Sequence, residues 1–325
     1  MSLLIAGSIA TDHLMTYQGK FQDSLVVEQL DKISLSFLVQ DLEIRRGGCA
    51  PNICYALGML GLHPVLVGAA GEDFRDYRSW LERHGVNCDH VRISESLHTA
   101  RFVCTTDDSM AQIASFYPGA MSEARLVELA PIAEQVGAPD HVLVGPDDPQ
   151  AMLNHTEECR TRGYPFIADP GQQLAFGGGE LIRGLVDGAA LLFSNEYESH
   201  LIESKTGWSA DEVLDRVGIQ VTTLGPTGVR VRSTDGTDLE VAAVPGVRAV
   251  EPTGVGDAFR AGFIACLQWG LSLDRAAQVG CTVAAYVVER IGTQEYSFTH
   301  DEFADRFEKA YGNAAAEDLR TALGR

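Results

Sequence analysis

Residues 51–60 read Pro51-Asn52-Ile53-Cys54-Tyr55-Ala56-Leu57-Gly58-Met59-Leu60, and after Gly61-Leu62-His63-Pro64 the chain continues Val65-Leu66-Val67-Gly68. A helix-like pattern feeding a short, unbroken apolar run is half of a β-α-β unit, because a parallel strand is buried on both faces. Working outward, 3–6 is a matching apolar run on one side and 74–84 a second helix-like segment on the other. The rhythm resumes with apolar runs at 141–145, 166–169, 190–194 and 220–224. The expected fold class is α/β: a doubly wound, mostly parallel sheet with helices on both faces.

Two stretches break the rhythm with a period of two. Ile33, Leu35, Phe37 and Val39 alternate with Ser34, Ser36 and Leu38, and 99–106 with 111–117 reads as a hairpin. Both are assigned to a small β-sheet lid, formed by about 12–46 and 98–118, on a single domain spanning 1–325. The alternation at 33–39 is too apolar for an exposed edge and predicts a homodimer through the lid. Farther on, 229–233 and 239–243 form a hairpin pattern around Asp235-Gly236, and 257–270, 274–289 and 301–311 read as helices.

The 325 residues are 45% hydrophobic and carry a formal net charge of −20, from 45 acidic and 25 basic side chains. That balance repels nucleic acid and anionic membrane at long range, so neither is expected as a partner. A small anion remains bindable through backbone N–H groups and a metal ion. Seven scattered cysteines without a C-x-x-C pair fit a reducing compartment. No basic segment followed by an apolar stretch opens the sequence, and no apolar run nears the ~20 residues of a spanning helix. A cytoplasmic protein is expected.

Three short motifs carry chemistry. In Glu251-Pro252-Thr253-Gly254-Val255-Gly256-Asp257 a glycine-rich turn leads into an apolar-periodic helix, where free N–H groups and the helix dipole stabilise a phosphoryl group. Asp257 then either offsets the dipole or is a general base beside the phosphoryl acceptor. In Gly47-Gly48-Cys49-Ala50-Pro51-Asn52 the glycines permit close backbone approach to a ligand, and Asn52 can bond a hydroxyl. In Asn195-Glu196-Tyr197-Glu198 the amide and carboxylate could order a hydrated Mg2+, or simply cap a helix.

Order and spacing of these motifs resemble the ribokinase-like (PfkB) family of sugar and nucleoside kinases. The resemblance implies an anion hole at Gly254, Val255 and Gly256, Asp257 as catalytic base, and Asn195 and Glu198 near Mg2+ and the phosphates of ATP. Thr223, Gly225 and Gly228 look like the family's nucleotide loop, with Pro226 where a lysine or other polar residue is usual. Glu251 stands where the family has an aspartate that helps form a monovalent-cation site, which bears on K+. Residues 7–13, 34–39, 112–124 and 254–262 further resemble the actinobacterial type of adenosine kinase. That likeness implies phosphorylation of the adenosine 5′-hydroxyl. Ser8, Asp12, Gly48 and Asn52 would then surround the ribose, Phe102 and Phe116 the purine, and Gln172 and Gln173 the pocket wall. Ser36 and Phe37 would reach into a partner subunit's pocket. A sugar kinase, an inosine or guanosine kinase, or a non-catalytic nucleoside-binding regulator are the alternatives. A dinucleotide oxidoreductase is disfavoured, because no G-x-G-x-x-G follows the first run.

Overall fold

A computed structural model describes residues 2–25, 32 and 34–324. Its strands in chain order are β1 (Leu3–Ala6), β2 (Ala10–Tyr17), β3 (Asp41–Gly47), β4 (Val65–Gly71), β5 (Val91–Ser94), β6 (Ala100–Asp107) and β7 (Gln112–Tyr117), followed by β8 (His141–Val144), β9 (Phe166–Ala168), β10 (Leu191–Asn195), β11 (Ile219–Thr223), β12 (Val229–Ser233) and β13 (Asp238–Val241). Among the described residues a nine-stranded sheet runs β13-β12-β11-β10-β9-β8-β1-β4-β5. It is parallel except for β12 and β13, the hairpin at one edge.

The pleat explains the layers. Along β1, Leu3 and Ile5 join one apolar core while Leu4 and Ala6 join another, and β8 divides in the same way, with Leu143 against Val142 and Val144. Helices Cys49–Met59, Val255–Gln268, Leu273–Val288 and His300–Tyr311 cover the first face. Helices Leu129–Val136, Pro149–Arg162, Gly179–Val186 and Ala210–Val217 cover the second. Local signals set the helix ends. Asp148 accepts from the N–H groups of Gln150 and Ala151, Pro149 occupies the first turn, and left-handed Gly163 closes the helix. The helix that carries Asp257 lies unusually close to its neighbour: a Cβ on Gly262 would stand 2.8 Å from the Gly280 Cα.

A second, four-stranded sheet has the order β3-β2-β6-β7, with β2 parallel to β6 and the other pairs antiparallel. The 99–106 and 111–117 hairpin is its β6–β7 half. The other half corrects the sequence reading. Residues 34–39 form no strand, Ile33 lies outside the described residues, and the strands are β2 and β3 instead. Within the alternating stretch, Phe37 packs on Tyr17 and Phe21, with ring centroids 4.8 and 5.0 Å apart, rather than on a pleated neighbour.

Candidate active site

Parallel strands of the large sheet end along one edge, and polar residues follow their ends: Ser8 after β1, Asp147 after β8, Asp169 after β9, Asn195 closing β10 and Thr223 closing β11. Winding reverses at β1, which pairs with β4 on one side and β8 on the other. Across that reversal the Ser8 N–H donates to the Pro146 carbonyl at 2.9 Å. Ligands of doubly wound sheets bind in the crevice at such a point.

The Gly47-Gly48 turn lies in this crevice. Gly48 takes φ 91°, and a Cβ there would stand 2.4 Å from the Ser8 carbonyl oxygen, while one on Gly47 would stand 3.2 Å from Asp12 Oδ2. Only a bare backbone fits between Ser8 and Asp12. One turn along the helix, buried Asn52 donates its Nδ2 to Asp257 Oδ2 at 2.9 Å.

Asp257 opens the helix Val255–Gln268. Burial pushes its carboxyl up to about 7, against the pull of Arg260 and the Asn52 hydrogen bond, and Asp169 adds to the rise. Arg260 does not neutralise it through a direct pair, because its guanidinium is committed to Asp169: Nη2 to Oδ1 at 2.7 Å and Nε to Oδ2 at 2.5 Å. Asp257 therefore keeps a carboxylate oxygen able to take a proton near neutral pH. The turn before it has left-handed Gly254 at φ 76°, where a Cβ would stand 2.8 Å from Thr293 Cγ2. The Val255 N–H bends back to the Pro252 carbonyl at 3.3 Å. Those of Gly254, Gly256 and Asp257 find no acceptor among the described residues, leaving them for an anion.

Asn195 and Thr223 are register partners, which puts the N-x-x-E motif beside the loop holding Gly225 and Gly228. Asn195 Oδ1 accepts the Glu198 N–H and Glu198 Oε2 accepts the Asn195 N–H, both at 2.8 Å. This is a complete capping box. Burial raises the Glu198 carboxyl and Asp169 adds to it. Gly228 adopts φ 121° and its carbonyl accepts the Leu224 N–H at 2.8 Å, closing the turn around Pro226.

On the small sheet, register aligns Arg45, Asp12, Phe102 and Phe116 in one row across β3-β2-β6-β7. Residues directly opposite share a face. Phe102 and Phe116 are 37% and 52% exposed, so their rings do not pack the small sheet onto the core. Burial raises the Asp12 carboxyl, Arg45 opposes this and Glu251 reinforces it. Glu251 Oε2 accepts the Gly292 N–H at 2.8 Å and lies 3.5 Å from Arg45 Nη1. Gln173 Nε2 donates to the Asp147 carbonyl at 2.8 Å, while Gln172 and Ser36 are exposed. Phe37 sits in its own chain's aromatic cluster.

Sequence reasoning missed Arg260, Asp169 and Gln294. Arg260 carried a signal, being a charge in an otherwise apolar helix three residues after Asp257. Gln294 carried none; its hydrogen bond to Asn52 spans 242 positions.

The model of the pfkB family of carbohydrate kinases matches residues 9–300. The chain belongs to that family. It is 28% identical to a nucleoside kinase of Methanothermobacter thermautotrophicus over 313 residues, 95% of this chain and 96% of that one. Among solved structures, the Burkholderia thailandensis nucleoside kinase in complex with inosine is 35% identical, with TM-score 0.83 over 96% of this chain and 99% of that one. The same kinase in complex with ADP-inosine is 36% identical, with TM-score 0.81 over 96% and 97% of the two chains.

Proposed function

We propose that this PfkB-family chain is an ATP-dependent nucleoside kinase that phosphorylates the 5′-hydroxyl of a purine nucleoside, with adenosine the acceptor favoured by the motif likeness. The observation that carries the reading is one continuous arrangement: aromatic faces on the row Asp12–Phe102–Phe116, the glycine turn beside Asp12, and Asn52 bonded to Asp257 beyond it. A bare sugar needs no exposed aromatic pair, whereas a purine stacks on one. Inosine is the second candidate, since a solved relative holds it.

In the proposed reaction Asp257 accepts the 5′-hydroxyl proton as that oxygen bonds to the γ-phosphorus of ATP and the bond to ADP breaks. The free N–H groups of Gly254, Gly256 and Asp257 stabilise charge on the transferring group. Asn195, Thr223, Gly225 and Gly228 are proposed to hold the nucleotide. Among the described residues no three His, Cys, Asp or Glu side chains converge on a metal position. A single carboxylate, Glu198, does suit a Mg2+ that arrives on the ATP phosphates and keeps several waters. When bound, Mg2+ would neutralise phosphate charge. At Glu251 the Gly292 N–H and the Arg45 guanidinium both meet Oε2, so a potassium ion there would have to use Oε1 and lie near a guanidinium charge.

The small sheet is proposed as a lid and as the surface of a homodimer. Leu42, Ile44 and Ile113 lie on the face opposite Asp12 and are 56%, 60% and 52% exposed, a patch suited to a second copy. Leu35 and Leu38 of the alternating stretch are exposed as well, so both surfaces are candidates for that contact.

The deciding experiment is ADP release from Mg·ATP with adenosine, inosine, guanosine, ribose and fructose as separate acceptors. Turnover with a purine nucleoside well above that with either sugar is expected. Preference for ribose or fructose would keep Asp257 and overturn the assignment of the aromatic pair.

A further inference from the structure

Behind Asn52 a file of side-chain hydrogen bonds leads away from the crevice. Gln294 Nε2 donates to Asn52 Oδ1 at 3.0 Å and to the Tyr77 hydroxyl at 2.6 Å. Gln294 Oε1 accepts the Trp80 indole N–H at 3.0 Å. The Tyr77 hydroxyl spends its own proton on the Gly47 carbonyl at 3.0 Å. Asn52 and Gln294 are 6% and 2% exposed, so water competes little for these groups.

A side-chain amide has nearly the same shape when turned end for end, so shape alone cannot decide which end of Asn52 meets Asp257. Partner chemistry decides it. An indole N–H donates and cannot accept. It therefore requires the oxygen of Gln294, which turns the Gln294 NH2 toward Asn52; that in turn requires the oxygen of Asn52. The NH2 of Asn52 is left facing the Asp257 carboxylate. Tyr77 does not compete, since a hydroxyl accepts from the same NH2 and donates elsewhere. Trp80 is itself held by the Arg46 guanidinium 4.1 Å from its ring and by the His84 ring at 4.3 Å.

We propose that Trp80 and Gln294 are positioning residues for the transfer step: the donor-only indole sets the direction of two successive amides so that Asn52 presents a donor, never an acceptor, to Asp257. The inference rests on the reading of Asp257 as base. The other charges acting on Asp257 are Arg260 on its own helix and Asp169 after β9, and Asp257 in turn acts on Cys49 of the helix Cys49–Met59 and on Tyr296 of the C-terminal segment. The variants below leave all of them in place.

Trp80→Phe and Gln294→Met, both uncharged, are compared with the unsubstituted chain by carbon-13 titration of the Asp257 carboxyl and by kcat against pH. Gln294→Met removes the imposed polarity outright and Trp80→Phe leaves it to the Tyr77 hydroxyl alone, so Asn52 can turn its oxygen toward Asp257, fully in the first variant and in part in the second. The carboxyl should then titrate about one pH unit higher. Correspondingly, kcat should fall about tenfold at pH 6 and less than about threefold at pH 9. In an Asn52→Leu background, read by titration alone, neither substitution should move Asp257 further. An unchanged titration in both variants, or a shift that persists without Asn52, overturns the proposal. If Trp80→Phe fails to fold, Gln294→Met makes the same contrast alone. Turnover by Asp257→Asn would instead remove the base from the reaction and leave the titration result standing, so the two readings fail separately.

Discussion

The Asn52 amide and the Asp257 carboxylate meet at 2.9 Å although 205 positions separate them in the chain. The contact joins the helix after the Gly-Gly turn to the helix after the glycine-rich turn, and so ties the proposed ribose side of the crevice to the proposed base. Replacing Asp257 with Asn should lower kcat by about 10²–10⁴ while leaving nucleoside affinity within a few-fold, as read by single-turnover kinetics and calorimetry. Near-normal turnover would remove Asp257 from the chemistry.

As the proposed base, Asp257 must be ionised to act, and burial pushes its carboxyl up to about 7. Activity should therefore rise with pH through about 7 and level off above it. The stability consequence has the opposite sign. As pH climbs from the ordinary carboxylate value of 3.8 toward 7, the unfolded chain gives up this proton first, so the folded state loses stability. Asp257→Asn should accordingly raise Tm by about 2 °C or more at pH 8, and by less at pH 5. Equal gains at both values would place the stability effect elsewhere.

Gly254→Ala puts a methyl group 2.8 Å from Thr293 Cγ2 at φ 76°. The turn must shift, and with it the free N–H groups. A loss of about 10²–10³ in kcat is expected, comparable to removing one donor from an oxyanion hole. Thr293→Ala in the same chain removes the Cγ2 contact only, since the Thr293 Cβ would still stand 2.9 Å away and the backbone strain persists, so recovery should be slight; complete recovery would show that the Cγ2 contact alone requires glycine there.

Phe102→Ala and Phe116→Ala test the purine reading. Stacking contributes about 1–3 kcal/mol per base, so KM for the nucleoside should rise about 10–100-fold in either variant, with kcat changing far less. Ribose turnover, if measurable, should not respond. An equal response for sugar and nucleoside would mean that the rings shape the small sheet rather than hold a base.

Leu42→Glu together with Ile44→Glu should turn a dimer into a monomer in sedimentation velocity at micromolar concentration. Both side chains lie on the sheet face away from Asp12, so folding should be retained. A wild-type chain that sediments as a monomer would overturn the dimer outright.

Much of the large sheet was legible because β1, β4, β8 and β9 are buried on both faces and read as unbroken apolar runs. The small sheet was half legible. In β2 the pattern Ala-Thr-Asp-His-Leu-Met-Thr-Tyr mixes polar and apolar residues on both faces, since one face looks into the crevice. β3 is an edge strand rich in charge, as edges commonly are. The alternation over 33–39 misled because an apolar side chain can satisfy an aromatic cluster as well as a pleat, and Phe37 does so against Tyr17 and Phe21. At the site, the three motifs were visible as glycines, two amides and carboxylates. Asp169 with Arg260, and Trp80 with Gln294, were not, because each pair is made by tertiary approach and has no spacing to betray it.

The long separations within the crevice also order events during synthesis. A ribosome releases Gly47, Gly48 and Asn52 early, but Asp257 and Gln294 follow more than two hundred residues later. Pairings so remote in sequence form late, after the entropy of closing a very long loop has been offset. A growing chain can therefore fold its first strands and helices without owning the proposed phosphate-transferring centre, and on that proposal a truncated product is catalytically silent.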